Sequence, residues 1–256
     1  MTRVRAERTG AIGRITLARP EKKNALDEQA ARELHDALRT LAEDTAVRVV
    51  LLGALGDDFC AGADLAALEA MIDAAPDVHR RDAQALGQVF TAIRELPKPV
   101  VAAVRGRALA GGAGLATACD LVLAHENSQF GYPEVRVGFV PAMVMTMLRR
   151  SVGEKRAFEL VATGRMVSAR EALELGIVSR VLGDGEFDEA VEAVLQQLAR
   201  AAPSALALTK QLFYALDARG FREGIALGVE ANVEARTTDE FREGIRRFVR
   251  KRAERA

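Results

Sequence analysis

The most constraining feature of the chain is a glycine cluster set between an apolar strand and a helix. Residues 98–104 (KPVVAAV) are short, β-branched and introduced by prolines at 97 and 99, so they read as a buried strand. Residues 106–120 (GRALAGGAGLATACD) then pass through Gly111, Gly112 and Gly114 into a helix-forming run at 115–119. A strand that turns on glycines into a helix presents unpaired backbone N–H groups at the positive end of the helix dipole. Such a turn holds negative charge.

The spacing excludes two phosphate cradles. Thr117 stands where G-x-G-x-x-G requires a third glycine, and no Gly-Lys-Ser/Thr follows as in a P-loop. A second glycine turn, FCAGADL at 59–65, follows another apolar strand at 47–52. Two strand-to-helix turns that each offer one N–H to the same oxygen make an oxyanion hole.

Around these turns the chain reads as alternating strands and helices. Residues 4–17 form a strand pair with Thr9-Gly10 at the turn, and 18–27 form a polar loop. Asp27 caps a helix with the stripe Ala30, Leu34, Leu38 and Leu41. An alanine-rich helical lid is expected at 66–78, a helix at 82–96, strands at 121–124 and from 129, and a helix at 142–150 ended by Gly153. Ser168 to Glu171 is a capping box for a helix running to Gly176, and 177–181 reads as the last strand. Beyond residue 184 the pattern is helical only: a stripe at Phe187, Val191, Val194 and Leu198, a helix begun by Pro203, another over 221–236, and a fourth boxed by 237–240. This gives an α/β core over 1–184 and a helical segment over 185–256.

Composition excludes several function classes. Lys plus Arg and Asp plus Glu are both 36, so no net charge draws the chain to nucleic acid or an anionic membrane. No apolar run reaches the ~20 residues of a bilayer span, and the charged start MTRVRAERTG is unlike a signal peptide. The expectation is a cytoplasmic protein with no membrane or nucleic-acid partner. Cys60 and Cys119 read as small buried hydrophobes. His35, His79 and His125 lack metal-ligand spacing and no G-x-S-x-G elbow occurs, so no metal and no serine nucleophile is assigned.

FCAGADL, GRALAGGAGLATACDLVLA and SQFGYPEVRVGFVP, in this order and spacing, resemble the crotonase family, also called the enoyl-CoA hydratase/isomerase family. The likeness runs from ARPEKKNALD through TGRMVSAREALELGIVSRV to EGIRRFVRKR. It implies a crotonase-like spiral of ββα turns with a C-terminal helical segment at 185–256 that makes trimer contacts, giving a homotrimer or a dimer of trimers. It also implies an acyl-CoA thioester substrate, with coenzyme A arriving as part of that substrate and no separate cofactor. The oxyanion donors fall on the backbone N–H of Ala63 and Gly111, and Glu134 matches the proline-glutamate acid/base. Coenzyme A contacts fall on Lys22, Lys23, Ala25, Ala61, Asp64 and Leu65, with Phe248 and Lys251 reaching the coenzyme A of a neighbouring subunit. Tyr132 and Arg136 flank Glu134.

One position departs from the family pattern. Well-studied hydratases carry a glutamate just after the glycine cluster, and here Gly114 stands in its place. Three readings stay open. The chain is a hydratase working with Glu134 alone, an isomerase that shuttles a proton with one base, or a hydratase resembling the bacterial methylglutaconyl-CoA type, aided by the substrate's carboxylate or another side chain. A non-catalytic acyl-CoA binder and an RNA-binding relative rank below these.

Overall fold

The computed structural model describes residues 2–254. Strands β1 (Val4–Thr9) and β2 (Ile12–Leu17) pair antiparallel across Gly10, whose φ of 61° suits a tight turn on glycine. Helix α1 (Glu28–Glu43) starts where the Ala30 N–H donates to Asp27 at 2.9 Å, and the expected stripe is buried. There follow β3 (Val49–Ala54), α2 (Leu65–Ala70), α3 (Pro76–Glu95), β4 (Val100–Val104), β5 (Arg107–Leu109) and α4 (Gly111–Ala118). Next come β6 (Leu121–His125), β7 (Gln129–Gly131), α5 (Val144–Val152), α6 (Glu154–Thr163), β8 (Met166–Ser168), α7 (Ala169–Leu175) and β9 (Arg180–Leu182). Among the described residues four α-helices follow: α8 (Phe187–Ala199), α9 (Pro203–Ala215), α10 (Phe221–Thr237) and α11 (Asp239–Ala253).

The strands form a six-stranded sheet, ordered β1-β2-β3-β4-β6-β9, and a three-stranded sheet, ordered β5-β7-β8. From β2 onward the large sheet is parallel. Its spiral has a simple rule: each turn lays one strand in the large sheet, then a short extended piece, then a helix. β4, β5 and α4 make one such turn. β3, the bridge of Cys60 to Ala108, and α2 make the one before it, while β2, the bridge of Leu26 to Ala63, and α1 precede that. The strand-to-helix junctions of successive turns are therefore neighbours in space, and the two glycine turns are two of those junctions.

The main core lies between the large sheet and α1, α3, α4 and α5, with Leu34, Val50, Ile93, Val104 and Leu115 fully buried. The opposite face of the sheet, at Ile12, Val49, Val101 and Leu123, is covered by Phe187, Val191, Val194 and Leu195 of α8. Helices α9 to α11 instead leave Phe213, Phe221, Ile225, Val233 and Phe248 exposed.

Several elements differ from the sequence reading. The helix expected at 82–96 starts at Pro76, which sits in the first turn where its missing N–H is harmless, so the lid at 66–78 shrinks to α2 and a turn. Thr238, not Thr237, caps α11 by accepting from the Phe241 N–H at 3.2 Å. Ile177 and Val178 are buried plugs beyond Gly176, and the last strand starts at Arg180. Strands β5 and β8 and helix α6 were not anticipated.

Candidate active site

The first junction is built by backbone pairing to Leu26. The Leu26 N–H donates to Gly62 O at 2.7 Å and the Asp64 N–H donates to Leu26 O at 2.8 Å. In a parallel bridge the central residue turns its own N–H away from the partner strand, so the Ala63 amide points outward from this pairing. Asp64 caps α2, accepting from the Ala66 N–H at 3.0 Å, and is paired with Arg19 at 2.8 Å. Arg19 also reaches Asp27 at 3.1 Å, tying the start of α1 to the start of α2.

The second junction approaches the first so closely that glycine is required. Gly62 has a φ of 88°, and a Cβ there would lie 2.8 Å from both the Ala110 Cβ and Leu109 O, and 3.2 Å from Gly111 N. A Cβ at Gly112 would lie 2.3 Å from Cys60 O. Ala110 takes a φ of 51°, a strained conformation for a residue with a Cβ, while its N–H donates to Gly131 O at 2.8 Å. The chain thereby enters α4 with the Gly111 N–H leading. Among the described residues neither the Ala63 nor the Gly111 amide has an acceptor.

Glu134 comes from the junction after β7, in a single 3-10 turn at Pro133–Val137. It is 8% exposed, and its Oε2 is buried without a hydrogen-bond partner among the described residues. Burial pushes its carboxyl above the usual carboxylate range. Ala63, Gly111 and Glu134 all border one cavity of about 390 Å³, otherwise lined mainly by apolar groups such as Leu65, Leu86 and Val144. Among the lining residues Glu134 is the one carboxylate and Arg136 the one cation.

The structure thus brings together three of the four expected catalytic positions. Gly114 is the exception. It is buried inside α4, does not line the cavity, and a Cβ there would lie 2.2 Å from the Val144 Cγ1 and 3.3 Å from the Phe90 ring. Its role is close packing of α4 on α5 and α3. The place of the family's first glutamate is occupied by hydrocarbon from a residue 30 positions further along, which no local pattern could have signalled.

The expected coenzyme A residues divide into groups. Ala61 and Leu65 line the cavity, Leu65 with 68% of its surface exposed. Asp64 is buried in its cap and ion pair. Lys22 and Lys23 are exposed and Ala25 half-buried, all outside the lining, yet their loop is fastened to it because the Ala61 N–H donates to Lys23 O at 2.9 Å. Phe248 and Lys251 lie exposed on α11 and do not border this cavity within the chain.

Tyr132 is 1% exposed, its hydroxyl 3.5 Å from that of Thr117, while Arg136 borders the cavity. The Cys60 thiol is pushed up to about 12 by burial, and burial likewise raises Cys119. His125 is bonded to Asp184 at 3.1 Å, and no group of three metal-ligating side chains occurs among the described residues. No helix among them is long and apolar enough to cross a membrane.

Sequence reasoning missed Arg19 and Asn24. Asn24, 2% exposed, donates to Leu55 O at 2.9 Å and Asp58 O at 2.8 Å, and accepts from the Arg19 N–H at 2.9 Å. An Arg-Pro and an Asn five residues apart, belonging to no periodic element, carried no signal of this clamp.

The spiral α/β fold thus brings two turns with acceptor-free amides and one buried carboxylate to a shared cavity. The family description that matches, over residues 7–255, is enoyl-CoA hydratase/isomerase. The chain is 44% identical over 243 residues to the Thermus thermophilus protein named "Putative enoyl-CoA hydratase", covering 95% of this chain and 96% of that one. It is 32% identical to the short-chain-enoyl-CoA hydratase of Clostridium acetobutylicum, covering 96% and 94%. A crystal structure of an enoyl-CoA hydratase from Mycobacterium smegmatis superposes with a TM-score of 0.93 at 33% identity, covering 97% and 96%. The chain belongs to the enoyl-CoA hydratase/isomerase family.

Proposed function

We propose that the chain is an enzyme that hydrates a 2-enoyl-CoA thioester. The observation that carries this reading is that Ala63 and Gly111, whose amides have no acceptor among the described residues, border one largely apolar cavity together with Glu134. The thioester oxygen sits between the two amides, which stabilise the enolate as water adds at the β-carbon; donors aimed at developing charge in a dry site are worth about 3 to 4 kcal/mol each. As the carbon–oxygen bond forms, the double-bond electrons move toward the carbonyl. Glu134 then gives its proton to the α-carbon and is reprotonated from the added water, so the addition is balanced with the carboxyl restored. Its raised proton affinity suits transfer near neutral pH.

Coenzyme A enters as part of the substrate, with no separate cofactor. Its adenine end rests on the loop of Lys22, Lys23 and Ala25, and Ala61, Asp64 and Leu65 border the remainder. The exposed apolar residues of α9 to α11 support self-association as a homotrimer or a dimer of trimers, in which Phe248 and Lys251 reach a neighbour's coenzyme A. The reading is of a cytoplasmic enzyme.

The closed slot at Gly114 favours a second reading, the movement of a 3-enoyl double bond to position 2 by a single carboxylate. Incubating 2-enoyl-CoA and 3-enoyl-CoA with wild type and Glu134→Gln, followed by mass measurement, separates the two. Hydration adds the mass of one water and isomerisation adds nothing; full activity in Glu134→Gln refutes both.

A further inference from the structure

A second cavity, of about 400 Å³, adjoins the first, and Met143 lines both. Along α3, Leu86 borders the first cavity while Phe90 and Arg94 border the second. Spacings of four put these three on one helix face, and eight residues at 1.5 Å rise set Arg94 about 12 Å beyond Leu86. Leu86 is beside the oxyanion turn, since a Cβ at Gly111 would lie 3.5 Å from its Cδ2. One helix face thus runs from the proposed thioester carbonyl to Arg94. Met143, the residue common to both linings, is an unbranched side chain that repacks readily.

The far end is polar in a specific way. The Arg94 guanidinium lies 4.2 Å from the centroid of the Tyr214 ring and has no hydrogen-bond or carboxylate partner among the described residues; its Nε is buried and unbonded. Behind it, buried Lys210 pairs with Asp120 at 2.8 Å, and the Tyr214 hydroxyl donates to the same carboxylate at 2.6 Å. This cluster therefore holds two cations, Arg94 and Lys210, against one anion. At the rim Arg150 is neutralised by Asp217 at 2.8 Å, which leaves the exposed Glu95 as the only opposing charge among the residues lining the cavity. An arginine with an unused fork beside an apolar passage suits a carboxylate.

We propose that the second cavity receives the far end of the acyl chain and that Arg94 pairs with a carboxylate there, making medium-chain thioesters with a terminal carboxylate the preferred ligands. This rests on the thioester reading above for its direction of entry, so its test is binding rather than turnover. Saturated medium-chain acyl-CoA thioesters ending in a carboxylate or in a methyl group are titrated calorimetrically into the full chain, wild type, Arg94→Met and Arg94→Lys. The expected result is tenfold or greater preference of wild type for the carboxylated ligand, on the order of one charge-assisted hydrogen-bonded pair. Arg94→Met abolishes that preference and Arg94→Lys keeps part of it. Equal wild-type affinities, or a preference that survives Arg94→Met, overturn the proposal. Failure of the hydratase reading shows separately, as absence of turnover on the matching enoyl thioesters with the binding preference intact.

Discussion

Replacing Gly114 with alanine tests whether the slot of the family's missing carboxylate is closed. The added Cβ would start 2.2 Å from the Val144 Cγ1 and 3.0 Å from the Val144 Cβ, far inside contact distance. Val144 is 4% exposed and β-branched, so it has little freedom to rotate away. Overpacking of this kind costs about 1 to 3 kcal/mol, and exchanging a helical glycine for alanine returns about 0.5 to 1 kcal/mol. With Val144 held in place the upper part of the overpacking range, about 2 to 3 kcal/mol, applies, so the net expectation is a loss of about 1 to 2.5 kcal/mol, or a melting temperature lowered by about 2 to 10 °C for a chain of this size. Val144→Ala alone loses about 2 kcal/mol through lost burial and a cavity. The double variant fills that cavity with the new methyl group, so it is expected to be more stable than the sum of the singles by about 1 kcal/mol or more. Calorimetry and urea unfolding of the four proteins complete the cycle. A Gly114→Ala protein as stable as wild type, or strict additivity, refutes the closed slot; if it stands, Gly114→Glu is expected to unfold the chain rather than install a second acid.

Glu134→Gln is expected to abolish turnover while raising stability at neutral pH. The buried carboxyl binds its proton more tightly in the folded state than in the unfolded one, so stability falls as pH rises through the window between the two affinities. Wild type and variant should agree near pH 4, about the ordinary carboxylate value, and wild type should be the less stable of the two by urea unfolding near pH 7. Ala63→Pro removes one N–H from the carbonyl site and is expected to lower kcat/KM by about 10² to 10³ in a steady-state hydration assay. Arg19→Met leaves the Asp64 carboxylate without its cation and Asp27 with Arg3 alone, and urea unfolding is expected to register a loss of about 2 to 3 kcal/mol. Because Asp64 adjoins Ala63, kcat should fall more than KM rises, and Arg19→Lys should recover part of both.

What was legible in the sequence was what local chemistry dictates. Strands such as 98–104 declared themselves by β-branched runs, the starts of α1 and α7 by Asp27 and Ser168, and the two glycine turns by a conformation and a closeness that only glycine permits. Strand β5 was invisible because it is three residues long and exists only through pairing with β7 and Cys60. The filling of the Gly114 slot by Val144 and the clamp of Arg19 on Asp64 were equally hidden, since each joins residues distant in the chain through packing or charge. Gly114 shows the limit most clearly: the absence of a carboxylate could be read from sequence, but the absence of room for one could not.

The most direct measurement is a crystal structure of the chain with a bound acyl-CoA thioester. The thioester oxygen is expected within hydrogen-bonding distance, roughly 2.7 to 3.2 Å, of both the Ala63 and Gly111 amide nitrogens, with the Glu134 carboxyl facing the α-carbon. A thioester oxygen that meets neither amide, or meets them with Glu134 turned away from the acyl chain, contradicts this expectation.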